Sequence, residues 1–107
     1  MKSITAGDLK KKIGSNDDFV LVDVLSTESF NEKHISKSIS LPVDHVKEKA
    51  ADVLPDKSKE IIVYCASTEC HASPNAARML EEMGYTNVVD FEAGLAGWEE
   101  AGFEFES

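Results

Sequence analysis

The sequence predicts an α/β fold in which a mainly parallel central sheet carries helices on both faces. Short β-branched runs, typical of strands buried on both sides, alternate with segments whose apolar residues recur at helical spacing. Such alternation favours crossover connections between parallel strands. The chain has 107 residues, of which 42% are hydrophobic. This length suits one domain with its own core over residues 1–107.

The first half of the chain contains three helical segments and two strands. Residues 6–13 have apolar side chains four positions apart, which indicates a short amphipathic helix. Residues 19–24 form a nearly continuous apolar run, as in a buried strand. Residues 26–33 and 43–54 again have helical spacing, and the short apolar stretch 39–41 between them predicts a weaker strand.

The second half repeats this alternation. The predicted strands are residues 61–65 and 87–91, and the predicted helices are residues 74–83 and 95–101. In the last helix, Trp98 has helical spacing from an apolar neighbour, so we expect it to belong to the core.

The helix over residues 74–83 has the best-marked ends. Ser73 is a predicted N-cap, Pro74 suits the first helical position, and Gly84 follows the last residue. The preceding strand ends in Cys65. The segment between them is therefore expected to be a loop at the carboxyl edge of the sheet, where open α/β sheets bind ligands.

Charge and cysteine content limit the function. The chain has 20 acidic and 11 basic residues, a formal net charge of −9, and a single arginine, Arg78. Proteins that bind nucleic acid or anionic membranes need clustered basic residues, so we expect neither partner. The N-terminal residues do not resemble an export signal and no long apolar run is present, so we expect a cytoplasmic protein whose two cysteines are thiols or a transient redox pair.

The loop after the third predicted strand has the composition of an anion-binding site. Its small residues allow backbone N–H groups to converge on the Cys65 sulfur, and the following helix N-terminus favours the thiolate. The candidate loop consists of Ala66, Ser67, Thr68, Glu69, Cys70, His71, Ala72 and Ser73. Within it Glu69 opposes the thiolate, and His71 is either a proton shuttle or an ordinary exposed residue. The alternative for Cys65 is a small buried residue that ends a strand.

An ordered set of short segments, covering essentially the whole chain, resembles a single-domain rhodanese-like protein. In the first half these segments are residues 21–24, Glu28, Phe30, residues 34–35 and residues 41–42. In the second half they are residues 63–65, 76–80, 84–88 and 92–102. Each segment alone is weak, but their order and spacing are specific.

The resemblance implies a sulfurtransferase with Cys65 as its active-site cysteine. In such enzymes the cysteine takes a sulfane sulfur from a donor such as thiosulfate or a persulfide, and holds it as a persulfide cradled by loop amides. It then passes the sulfur to a thiol, to cyanide or to a protein acceptor. The resemblance implies no metal and no organic cofactor.

The loop departs from the usual family pattern Cys-x-x-Gly-x-Arg-Ser. Aligned without gaps, it has Thr68 for the glycine, Cys70 for the arginine and His71 for the serine. If the loop is instead two residues longer, Ser73 takes the place of the serine. The arginine is missing in either alignment, so we expect the thiosulfate dianion to be a poor donor.

Other cysteine chemistries fit the sequence less well. A cysteine phosphatase needs the missing arginine, a thioredoxin-type reductase needs Cys-x-x-Cys, and a zinc site built from Cys65, Cys70, His71 and one distant histidine lacks paired ligand spacings. The serious alternative is a non-enzymatic persulfide carrier or thiol redox sensor that uses Cys65 and Cys70. If the loop brings the two sulfurs together, Cys70 is expected to attack an oxidised or persulfidated Cys65.

Overall fold

The computed structural model describes residues 2–15 and 18–107 and contains a five-stranded parallel sheet. The strands are β1 (Lys2–Ser3), β2 (Phe19–Asp23), β3 (Ser38–Ser40), β4 (Glu60–Tyr64) and β5 (Val88–Phe91). The helices are α1 (Ala6–Gly14), α2 (Thr27–Glu32), α3 (Val46–Val53), α4 (Ala72–Glu82) and α5 (Gly94–Glu100). The strand order β1-β5-β4-β2-β3 puts β4 at the centre of the sheet.

Alternate residues of the central strands enter two separate cores. Val22, Val63 and Cys65 lie in one core with residues of α3 and α4. Ile62 lies in the other, where it is packed with residues of α1 and α5 that include Trp98. The predicted α/β fold, with a mainly parallel sheet and helices on both faces, is confirmed. Trp98 is 1% exposed, as expected of a core residue.

Three local predictions differ from the structure. The edge strand β1 has only two polar residues, so no apolar run marked it in the sequence; it forms by pairing with β5. The helix predicted over residues 43–54 is a 3₁₀ turn (Val43–His45) followed by α3, since a tight first turn often begins an α-helix. Helix α4 begins before Pro74, with His71 at its N-cap position.

Ser73 is therefore not the N-cap of α4. It lies inside the first turn, is 1% exposed, and its hydroxyl is used in a contact with the Cys65 sulfur. At the other end of α4 the predicted stop is confirmed, because Gly84 adopts φ = +100° just after the last turn.

Membrane insertion through a helix has no support in the described part of the chain. Within residues 2–15 and 18–107, none of the helices has both the length and the apolar character needed to cross a membrane.

Candidate active site

Cys65 directly follows the central strand β4 at the carboxyl edge of the sheet. Strand pleating directs its side chain to the face covered by α4, since Ile61, Val63 and Cys65 all lie in the core on that face. Its exposed fraction is 0%. The cysteine is thus held between the end of β4 and the first turn of α4.

The chain around Cys65 is anchored by the start of α5. The N–H groups of Leu95 and Ala96 donate to the carbonyl oxygens of Cys65 and Ala66 at 3.0 and 2.9 Å. Gly94 has φ = +60° and packs directly against this backbone, where a Cβ atom would overlap the Cys65 carbonyl oxygen. Glycine is required here both by the dihedral angle and by the close approach.

The hydrogen-bonding groups nearest to the Cys65 sulfur are mainly oxygen atoms. Its thiol donates to Ser73 Oγ at 3.4 Å, and its Sγ lies 3.6 Å from the carbonyl oxygen of Cys70 and 4.0 Å from that of Ser67. We expected loop amides to converge on this sulfur. In the structure the Ser73 N–H does so, but Ser67 and Cys70 present carbonyl oxygens instead.

The electrostatics of this arrangement favour a neutral Cys65 thiol. Burial raises the pKa of Cys65, as does the hydrogen bond that links its thiol to Cys70, and the hydrogen bonds from Ser73 do not offset this rise. The expectation of a Cys65 thiolate therefore meets an opposing effect that the sequence did not reveal. The desolvation of a fully buried sulfur outweighs the contribution of the helix N-terminus.

Cys70 has the more acidic thiol of the two. Burial raises its pKa, but the influence of the neighbouring Cys65 side chain and of the N–H groups of Ala66 and Ala72 outweighs that effect and lowers it overall. Cys70 is also partly exposed, unlike Cys65. The turn that closes with Cys70 N–H donating to the Ser67 carbonyl at 3.1 Å holds Cys70 next to Cys65.

The other polar loop residues lie on the surface. Glu69 is exposed, and its backbone N–H donates to Ser67 Oγ at 3.4 Å. His71 is exposed at the N-cap position of α4 and makes no capping hydrogen bond with its side chain. The structure thus brings Cys65, Cys70 and Ser73 together but directs Glu69 and His71 towards solvent.

A cavity of about 120 Å³ opens beside Cys70 and Ser73. It is lined by Thr68, Cys70, His71, Ser73, Pro74, Asp90 and Glu92. It therefore contains two carboxyl groups, which disfavour an anionic ligand. The sequence analysis did not identify Asp90 or Glu92 as part of the site.

Asp90 is the most unusual of the cavity residues. It is 1% exposed, and its Oδ1 has no hydrogen-bond partner among the described residues. Burial raises its pKa, a hydrogen bond with Ser73 acts in the opposite direction, and the charge of Glu92 adds to the rise. One signal was present in the sequence, because Asp90 interrupts the apolar run of β5.

Metal-ligating side chains do not cluster in the part of the chain that the structure describes. Over residues 2–15 and 18–107, no group of three or more histidine, cysteine, aspartate or glutamate side chains is arranged to hold a metal ion.

Comparison with known proteins identifies related sequences. The family described as "Rhodanese-like domain" matches residues 5–101. The thiosulfate sulfurtransferase PspE of Escherichia coli is 37% identical over 67 residues, which are 63% of this chain and 62% of PspE. This match thus spans less than two thirds of PspE. The putative sulfurtransferase YtwF of Bacillus subtilis is 30% identical over 92% of this chain and 91% of YtwF.

Comparison with solved structures gives the same fold. The rhodanese-like domain of the Alr3790 protein from Anabaena superposes with a TM-score of 0.89 at 27% identity, over 100% of this chain and 80% of that domain's chain.

Proposed function

This chain belongs to the rhodanese-like domain family, and from that premise we propose that it is a sulfurtransferase that carries sulfane sulfur on Cys65. The observation that carries the proposal is the position of Cys65, between the end of the central strand and the first turn of α4. The N-terminus of α4 favours an anionic persulfide at this position and offsets part of the burial that opposes a charged sulfur there. The sulfurtransferases among its relatives support the same reaction class.

The reaction consists of two transfers. In the first, the Cys65 sulfur attacks the sulfane sulfur of the donor, a new S–S bond forms, and the donor leaves with the electron pair of its broken S–S bond. The thiol proton is released as the sulfur attacks, and Ser73 Oγ already accepts the hydrogen bond from that thiol. In the second transfer, an acceptor thiol or cyanide attacks the terminal sulfur and regenerates Cys65.

The charges around the cavity favour particular donors. Asp90 and Glu92 line the cavity, and Glu69 is exposed in the loop that follows Cys65. We therefore propose that a persulfide donor with little negative charge near its sulfur is used more efficiently than thiosulfate. The loop has no arginine that could bind the two negative charges of thiosulfate. Small thiols, or a protein thiol, are the corresponding acceptors.

Intact-mass spectrometry after incubation with a donor tests the proposal. We expect the wild-type protein to gain the mass of one sulfur atom from glutathione persulfide, to gain it more slowly from thiosulfate, and to lose it with cyanide. Cys65→Ser should gain none while retaining its fold. Sulfur uptake by Cys65→Ser at the wild-type rate would show that Cys65 is not the carrier.

A non-enzymatic persulfide carrier is the second candidate. The complete burial of Cys65 favours it, because an acceptor must displace part of the loop to reach the sulfur. Repeated turnover of thiosulfate or a persulfide with cyanide supports the enzyme, whereas a single loading without turnover supports the carrier.

A further inference from the structure

We propose that Cys70 is a second nucleophile that attacks the persulfide on Cys65 and releases sulfide, which gives the protein a dithiol-dependent persulfide reductase activity. This inference rests on the proposed loading of Cys65 with sulfur. It assigns to Cys70 a chemical step that a sulfur-transfer reaction does not require.

The geometry of the loop already brings the two cysteines together. The Cys70 carbonyl oxygen lies 3.6 Å from the Cys65 sulfur, and each thiol influences the pKa of the other, so the two residues face each other within the loop. The turn from Ser67 to Cys70, closed by a 3.1 Å hydrogen bond, holds this arrangement. Formation of a disulfide requires the loop to bring the two sulfurs to about 2.05 Å with correctly directed Cβ atoms.

The two thiols differ in the way that the reaction needs. Cys70 receives hydrogen bonds from the N–H groups of Ala66 and Ala72, so its thiolate is stabilised. Cys65 is buried, whereas Cys70 is partly exposed and lines the cavity. Cys70 is thus positioned to attack a sulfur held on Cys65, because the thiolate is the attacking species in thiol exchange.

The step balances without an external oxidant. Cys70 attacks Sγ of Cys65, the bond between that Sγ and the terminal sulfur breaks, and the terminal sulfur leaves as hydrosulfide with the bonding electron pair. The sulfane sulfur is reduced to sulfide, and the two cysteines are oxidised to a Cys65–Cys70 disulfide. The Cys70 proton is transferred to the terminal sulfur of the anionic persulfide, which leaves Cys70 as the attacking thiolate and allows that sulfur to depart as hydrosulfide. An external dithiol then reduces the disulfide and restores both thiols.

The exposure of the two cysteines also predicts how the disulfide is reduced. A dithiol that enters the cavity meets the partly exposed Cys70 sulfur, while the Cys65 sulfur remains covered. The mixed disulfide therefore forms on Cys70, and Cys65 is released as a free thiol that can accept the next sulfur.

The experiment loads the protein with glutathione persulfide, removes the donor by rapid desalting, and follows intact mass and free sulfide without added thiol. We expect the persulfidated wild-type protein to convert to a species that has lost two hydrogens relative to the reduced protein. One sulfide should appear for each persulfide lost, and peptide mapping should find the Cys65–Cys70 crosslink. Once loaded to the same extent as the wild type, Cys70→Ser and Cys70→Ala should release sulfide at least about 100-fold more slowly, because the attacking group is no longer held beside the persulfide.

The outcomes separate this inference from the proposed function. If wild-type protein loads but keeps its extra sulfur as long as both Cys70 variants do, the role of Cys70 is wrong and the sulfurtransferase proposal stands. Absence of loading in the wild type would overturn both proposals. Sulfide release from Cys70→Ser at the wild-type rate would also overturn the inference, since the released sulfide would then come from another reaction.

Discussion

Replacing Gly94 by alanine is expected to destabilise the protein and to displace the loop that contains Cys65. Gly94 begins α5 with φ = +60°, and a Cβ atom at this position would overlap the Cys65 carbonyl oxygen and lie 2.9 Å from its carbonyl carbon. These are backbone atoms, so no side-chain rotation relieves the overlap. Either α5 or the chain at Cys65 must move.

The size of the effect follows from two contributions. A left-handed backbone conformation costs an alanine about 1 to 2 kcal/mol relative to glycine. The displacement also weakens the hydrogen bonds that Leu95 and Ala96 donate to the Cys65 and Ala66 carbonyl oxygens, each with a contribution of about 1 kcal/mol. We therefore expect Gly94→Ala to lower the free energy of unfolding by about 3 to 4 kcal/mol.

Gly102→Ala is the matched control. Gly102 has φ = +83°, and a Cβ atom there would meet nothing within 4 Å. The free energy of unfolding of this variant should therefore fall only by the conformational cost of about 1 to 2 kcal/mol. The difference of about 2 kcal/mol between the two variants corresponds to a further fall in Tm of about 10 °C for a chain of this size.

Urea unfolding provides the assay, monitored by the fluorescence of the single, buried Trp98 and by circular dichroism. Sulfur loading of the folded Gly94→Ala variant should also be slower than that of Gly102→Ala. Free energies of unfolding that agree within about 0.5 kcal/mol for the two alanine variants, which is the usual range of surface substitutions, would refute the argument. The contact between Gly94 and Cys65 would then not constrain the loop.

Three further predictions concern charge and hydrogen bonding. Glu69→Gln removes an exposed negative charge from the loop, so the rate of sulfur loading from thiosulfate should rise at low salt. The increase should be smaller at high salt, because exposed charges are screened. An unchanged rate at low salt would contradict this prediction. Burial raises the pKa of Asp90 in the folded protein. The neutral carboxyl group therefore stabilises the fold below its pKa in the unfolded chain, about 3.9, and this stabilisation is lost as pH rises through the higher pKa of the folded protein. Asp90→Asn should therefore be more stable than wild type at pH 7 but not below a pH of about 3.9. If urea titrations give the same difference in free energy of unfolding at both pH values, Asp90 is not a destabilising charge at pH 7. Tyr85→Phe removes the hydroxyl that donates to the Leu54 carbonyl oxygen at 2.6 Å, so the free energy of unfolding measured with urea should fall by about 1 to 2 kcal/mol. An unchanged urea midpoint would show that this hydrogen bond does not stabilise the fold.

Local patterns in the sequence were sufficient for the fold class. The apolar runs that became β2, β4 and β5 are predictable because a strand buried on both faces must be apolar at nearly every position. The same reasoning located Cys65 at the end of β4. It failed for β1, whose two residues form a strand only because β5 offers an unpaired edge.

The sequence by itself determined the alternation of strands and helices, the position of Cys65 at the carboxyl edge of the sheet, and the stop of α4 at Gly84. These features depend on short-range propensity and periodicity, which neighbouring residues specify. Only the tertiary structure decided that Ser73 contacts Cys65 instead of capping α4, that Asp90 is buried beside the thiols, and which thiol is more acidic. Each of these depends on how segments distant in the sequence exclude water from one another, because desolvation and hydrogen bonding are set by the packed neighbours of a group and not by its place in the chain.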